Sequence, residues 1–215
     1  SGYIFSKPFS YTAQSRSRGT TPLLPACRCM WSGQEAPGNG DSRCGLYLLH
    51  GYACPVIVIR SLPTEADSEL CLRVYNALPV HEGEYEPRMN VVCWRQAGGI
   101  GHSDEIVTLV FPRAKHRPDC YYAEGEEQLL VSPGALDMCG LLVTPREQDF
   151  QRITPQRAAS ILREVTLSPE EMEQVVHKIT LGYKGKRAVE RTIPTHTSVH
   201  ALHGLLAGHL PSQVV

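Results

Sequence analysis

The sequence predicts an α+β domain: an antiparallel sheet with helices packed on one side and irregular segments at both ends. Three observations carry this. Apolar, β-branched runs around 56–59, 89–94 and 105–111 are separated by turn-rich stretches, as the strands of hairpins are. Between 154 and 179 the apolar period changes to that of amphipathic helices. The first 44 residues hold 19 Ser, Thr, Gly or Pro and no sustained period, which reads as loop.

Taken in order, Tyr52-Ala-Cys-Pro-Val-Ile-Val-Ile-Arg60 ends in a run suited to a buried strand. Leu62-Pro63-Thr64 then opens a helix whose apolar face is Leu70, Val74, Ala77 and Leu78, and Pro79 stops it. Met89–Trp94 and Glu105–Phe111 read as an antiparallel pair, because Gln96-Ala-Gly-Gly-Ile-Gly-His102 supplies glycines for a hairpin loop. Two shorter strands are expected at Gln128–Ser132 and Gly140–Thr144, with a turn or single helical turn at Pro133–Asp137 between them. Thr154-Pro155 reads as an N-cap and first-turn proline, followed by the stripe Ala158, Ile161, Leu162 and Val165. Ser168-Pro-Glu-Glu171 is a capping box before Met172, Val175, Val176 and Ile179. The expected organisation is therefore 1–44 irregular, 45–178 an α+β domain and 179–215 a basic, weakly patterned tail.

The net charge of −1 conceals an arrangement, since residues 1–60 sum to +4, residues 61–177 to −9 and residues 178–215 to +4. No like-charge block is long enough to mark an interaction tail, and nucleic acid is not an expected partner. No run approaches the roughly 20 apolar residues of a membrane-spanning helix, and Ser1–Ser10 lacks a signal-peptide pattern, so neither membrane nor secretion is expected. Eight scattered cysteines fit reduced thiols in a cytoplasm better than a disulfide framework, and Cys93 and Cys139 lie inside apolar runs where thiols pack as small hydrophobes. Cys27-x-Cys29 is a lone close pair, and His196, His200, His203 and His209 lack carboxylate or Cys companions at ligand spacing, so no metal is expected. No Gly-x-Gly-x-x-Gly, Walker loop or Gly-x-Ser-x-Gly elbow occurs, which leaves dinucleotide oxidoreductase, P-loop enzyme and serine hydrolase without support, and no cofactor is expected.

The densest polar cluster follows the strand ending at Phe111: Arg113, Lys115, His116 and Arg117 occupy four of five positions. Arg offers forked hydrogen bonds, Lys a point charge and His a proton near neutral pH, a combination suited to phosphate. A solvated basic turn is the plainer explanation. In Leu130–Pro145, Ser132, Asp137 and Thr144 offer further polar groups, and Gly134 and Gly140 serve either a close ligand or a tight turn.

Met89-Asn-Val-Val-Cys-Trp94, Leu109-Val-Phe-Pro-Arg-Ala-Lys-His-Arg-Pro118 and Val131-Ser-Pro-Gly-Ala-Leu-Asp-Met-Cys-Gly-Leu-Leu-Val-Thr-Pro145 with Asp149-Phe150 resemble the C-terminal half of a bacterial family described as a domain of unknown function. That family is similar to the His-triad and galactose-1-phosphate uridylyltransferase superfamily, and the order of segments resembles the C-terminal part of diadenosine tetraphosphate phosphorylase and GDP-hexose phosphorylases. The resemblance runs from about Gly45 to Val176. It implies a His-triad-like fold and nucleotidyl transfer, in which a histidine takes the nucleotide and phosphate or a sugar phosphate removes it. The family's His-x-His-x-Gln motif would fall on Ser10-Tyr-Thr12-Ala-Gln14, where Gln14 matches and both histidines are missing.

The expectation is thus a phosphorylase-like nucleotidyltransferase domain that acts on or binds an NDP-sugar or dinucleoside polyphosphate, with Arg113, Lys115, His116 and Arg117 facing phosphate. The chain is expected to lack most of the half that carries the nucleophile. The alternatives are a non-catalytic nucleotide-binding module, or an interaction domain that forms a homodimer over its exposed sheet face.

Overall fold

In the computed structural model, residues 5–8, 27–32, 45–49, 51–63, 65–97, 104–181 and 192–193 are described. Strands β1 (Phe5–Pro8), β2 (Cys27–Ser32), β3 (Gly45–Leu49) and β4 (Ile57–Ser61) precede helix α1 (Glu65–Ala77). Strands β5 (Met89–Gln96) and β6 (Glu105–Pro112) follow, then the short helices α2 (Asp119–Tyr122) and α3 (Ala135–Met138) and strand β7 (Leu141–Thr144). Helices α4 (Glu147–Arg152), α5 (Pro155–Val165) and α6 (Pro169–Leu181) and strand β8 (Thr192–Ile193) complete the set. The fold is α+β. One antiparallel sheet has the order β5-β6-β4-β3-β2-β8, and β1 pairs with β7 in a separate two-stranded sheet. Short strands β1, β2 and β8 thus lie in segments whose composition reads as irregular.

β5 and β6 pair in unbroken register from Met89 opposite Pro112 to Gln96 opposite Glu105, as the expected hairpin requires. The tip of its loop, 98–103, lies outside the described residues. β6 in turn pairs with β4, so Val58 stands opposite Leu109 and Ile57 opposite Val110. Alternation along these strands sends Tyr47, Val58, Leu109 and Phe111 to one face and Leu46, Ile57, Ile59 and Val110 to the other.

Helices cover both faces, which corrects the expectation of helices on one side. Ala158, Ile161, Leu162 and Val165 of α5, with Met138 of α3, pack on the first face. Leu70, Val74 and Ala77 of α1, with Met172, Val175 and Ile179 of α6, pack on the second. The cause is visible in the runs Val56-Ile-Val-Ile59 and Val107-Thr-Leu-Val-Phe111, which are nearly continuous in apolar residues rather than alternating, as strands buried on both faces are.

The helix ends follow local chemistry. Thr154 Oγ1 accepts from the Arg157 backbone N–H at 3.2 Å with Pro155 in the first turn. Ser168 Oγ accepts from the N–H of Glu171, and the Glu171 carboxylate accepts from the N–H of Ser168 at 2.8 Å, closing the capping box.

The strand expected at Gln128–Ser132 does not form. Its backbone donors go elsewhere: the Leu130 N–H to Asp149 Oδ2 at 3.1 Å, and the Leu129 N–H to the Cys120 carbonyl at 2.9 Å. Fully buried Asp149 is held in turn by Nε and Nη2 of Arg146, so a carboxylate takes the place of a neighbouring strand. The Gly140–Thr144 expectation is met by β7.

Candidate functional site

Three loops meet beyond the end of β6: 81–88 between α1 and β5, 113–117 after β6, and 132–134 before α3. They enclose an open cleft of about 950 Å³ lined by Glu84, Tyr85, Arg88, Asn90, Arg113, His116, Arg117, Tyr122 and Ser132.

Arg113 is the hub of these loops, and only 5% of it is exposed. Nη1 donates to Asn90 Oδ1 and to the Pro133 carbonyl, the latter at 2.7 Å. Nη2 donates to the carbonyls of Lys115 and His116 at 3.0 and 2.7 Å, and Nε is shared between the carbonyls of Val165 and Lys115. A guanidinium has five N–H donors, and these contacts occupy all of them. Burial pulls the Arg113 pKa below the ordinary guanidinium value, while nearby Cys54 and Asp137 push it back. Arg113 was expected to face phosphate; its geometry makes it the residue that holds the loops around the cleft.

Lys115 lies away from the lining. Its Nζ pairs with Asp119 at 2.6 Å and Glu164 at 2.8 Å, and these bonds raise its pKa. The cluster that spacing groups together is divided by the fold. Within five positions the backbone sends Arg113 inward, Lys115 toward α2 and α5, and only His116 and Arg117 to the cleft as exposed side chains.

Arg117 is oriented without being used up. Its guanidinium carbon sits 4.2 Å over the ring of Tyr121, and Nε donates to Ser132 Oγ at 3.3 Å. Among the described residues nothing meets its two Nη groups. His116 Nε2 lies 3.6 Å from Glu84, an ion pair when the ring is protonated. The Arg88 guanidinium binds Glu84 at 2.6 Å, holds that carboxyl below the ordinary range, and donates from Nη1 to the Ala114 carbonyl at 2.6 Å.

The third loop is shaped by Asp137, whose Oδ2 accepts from the Gly134 N–H and Oδ1 from the Val143 N–H, both at 2.7 Å. Burial raises its pKa and these bonds oppose the rise. Asp137 is thus a structural anchor. Gly140 adopts φ 99°, so its freedom serves the turn out of α3. Gly134 has ordinary φ, and a Cβ there would meet its nearest atom at 3.5 Å. Ser132 reaches the cleft; Thr144 is buried.

Glu84, Tyr85, Arg88 and Tyr122 were not legible as site residues. One available signal was Tyr85, an aromatic inside the polar run Glu82–Pro87. Among the described residues, no group of three or more His, Cys, Asp or Glu could hold a metal, and no helix is long and apolar enough to cross a membrane. Ser10–Gln14, the tail histidines and the side chains of Cys27 and Cys29 lie outside the described residues.

No curated protein and no solved structure matches this chain. Residues 100–183, the segment that carries His116, Arg117, Tyr122 and Ser132, match the family model described as GDPGP1-like, C-terminal domain.

Proposed function

We propose that the cleft binds the phosphate-bearing part of a nucleotide sugar or dinucleoside polyphosphate, as the C-terminal domain of a phosphorylase-like nucleotidyltransferase. The carrying observation is Arg117. Tyr121 and Ser132 fix its guanidinium beside His116, and among the described residues both Nη groups are uncommitted, in a cleft whose loops Arg113 already holds. A planar fork with two open N–H₂ groups suits phosphate oxygens, and a protonated His116 adds a second donor. Preorganised cations of this kind also stabilise charge that develops on phosphoryl oxygens in a displacement at phosphorus. The family match of residues 100–183 and the resemblance of 45–176 to GDP-hexose phosphorylases support the same reading.

Calorimetric titration tests it. GDP and inorganic pyrophosphate are expected to bind, and Arg117→Ala to weaken both about tenfold or more, the loss of a charge-assisted hydrogen-bond pair. Binding unchanged in Arg117→Ala, or absent from the wild type, overturns the proposal. Phosphate-dependent release of GDP from a GDP-hexose measures whether this chain completes phosphorolysis or only binds.

A further inference from the structure

Two exposed tyrosines stand on the rim of the cleft. Tyr85 is fully exposed, and Tyr122 is 67% exposed. Single exposed aromatics are common on protein surfaces, but two on one cleft that also presents Arg117 and His116 form a pattern. Tyr122 is also fixed in place: its ring meets Tyr121 edge-on, with centroids 5.2 Å apart and planes at 74°, and Tyr121 carries the Arg117 guanidinium on its face. Arg117 and Tyr122 both line the cleft, and each touches the ring of Tyr121, which is not itself on the lining. Tyr85 lies in the 81–88 loop, whose turn Gly83 makes at φ 80° and whose position Arg88 secures through Glu84 and the Ala114 carbonyl.

Resting on the reading of the cleft as a diphosphate site, we infer that Tyr122 and Tyr85 form its base subsite and stack the nucleobase of a nucleoside diphosphate. The order of groups fits such a ligand. A ribose separates the base from the phosphates, and on the lining Tyr122 and Arg117 are held apart by the one ring, Tyr121, that both touch. Stacking on exposed tyrosine is sequence-tolerant and strong enough to matter, because every base offers a π-face and each stacked base contributes on the order of tenfold or more in affinity. The rings select a planar heterocycle; they do not choose among bases.

Calorimetry on the full chain separates this from the parent reading, with GDP, inorganic pyrophosphate and a hexose 1-phosphate as probes. Tyr122→Ala and Tyr85→Ala are expected to weaken GDP about tenfold or more and leave pyrophosphate unchanged, while Tyr122→Phe retains GDP affinity. Both side chains being exposed, melting temperatures stay at the wild-type value. If GDP and pyrophosphate both bind and the alanine variants leave GDP unchanged, the base subsite is wrong and the phosphate reading stands. If the variants weaken the hexose 1-phosphate but not GDP, the rings serve a sugar and the inference fails. If the wild type binds neither GDP nor pyrophosphate, the cleft reading fails and takes this one with it.

Discussion

Arg113 donates from Nη1 to the carbonyl oxygen of Pro133 at 2.7 Å, and this bond ties the end of β6 to the loop that closes the cleft. The rest of the guanidinium binds Asn90 and three further backbone carbonyls, so one side chain coordinates four segments of chain. Lysine at this position keeps the charge but cannot reproduce a planar five-donor fork. Arg113→Lys is expected to lower stability by about 2–4 kcal/mol, since three ammonium donors cannot serve the five acceptors and buried carbonyls lose their partners. Urea unfolding should show a reduced midpoint with an unchanged slope. A change below about 0.5 kcal/mol would mean that water replaces the guanidinium and the loops hold themselves.

Lys115 gives the opposite expectation. It pairs with Asp119 and Glu164 at a partly exposed position, where ion pairs contribute about 0–1 kcal/mol. Lys115→Ala should therefore change stability by less than about 1 kcal/mol and leave GDP binding as in the wild type. Loss of GDP binding comparable to that of Arg117→Ala would return Lys115 to the site.

Ser168 tests whether α6 depends on its cap. Both halves of the capping box run through Ser168 and Glu171, and α6 lays Met172, Val175 and Ile179 on the second face of the sheet. Ser168→Ala should cost about 1 kcal/mol, and Ser168→Asp or Ser168→Thr should recover most of it. Equal stability of Ala and Thr at this position would show that packing alone sets the helix start.

The difference between these residues and Arg113 explains what the sequence discloses. Thr154 and Ser168 act on backbone three residues away, so their roles are written in adjacent letters. Arg113 and Arg117 are two of the same letter, four positions apart; besides the nearby Lys115 and His116 carbonyls, Arg113 is met by partners 20 to 52 residues distant, which the local sequence does not announce. The same non-locality hid the fate of Gln128–Ser132. Its apolar residues suit a strand, but the acceptor for the Leu130 N–H is the side chain of Asp149, which no periodicity announces. Burial of the sheet on both faces had a local signal in the long apolar run of β6, but the expectation placed helices on one side only; α1 with α6 and α5 with α3 cover the two faces.

The buried thiols make stability depend on alkaline pH with a definite sign. Burial raises the Cys139 thiol to about 11 and the Cys54 thiol to about 12, whereas Cys93 is exposed. A raised folded pKa means that the unfolded chain gives up its thiol protons first. The contribution is therefore complete below the ordinary thiol value, erodes as pH rises above it, and is gone once pH passes the folded value. At pH 10 each buried thiol should lower stability by about 1 kcal/mol relative to pH 7, and Cys139→Ala should remove its share of the slope while adding a constant packing cost at every pH. Urea unfolding at pH 7, 9 and 10 gives the slopes. Equal slopes for wild type and Cys139→Ala would show that the Cys139 thiol ionises as freely in the fold as outside it. Alkylation supplies an independent check: Cys93 should react with iodoacetamide in the native protein, and Cys54 and Cys139 only on unfolding, because the thiolate is the nucleophile and burial suppresses it.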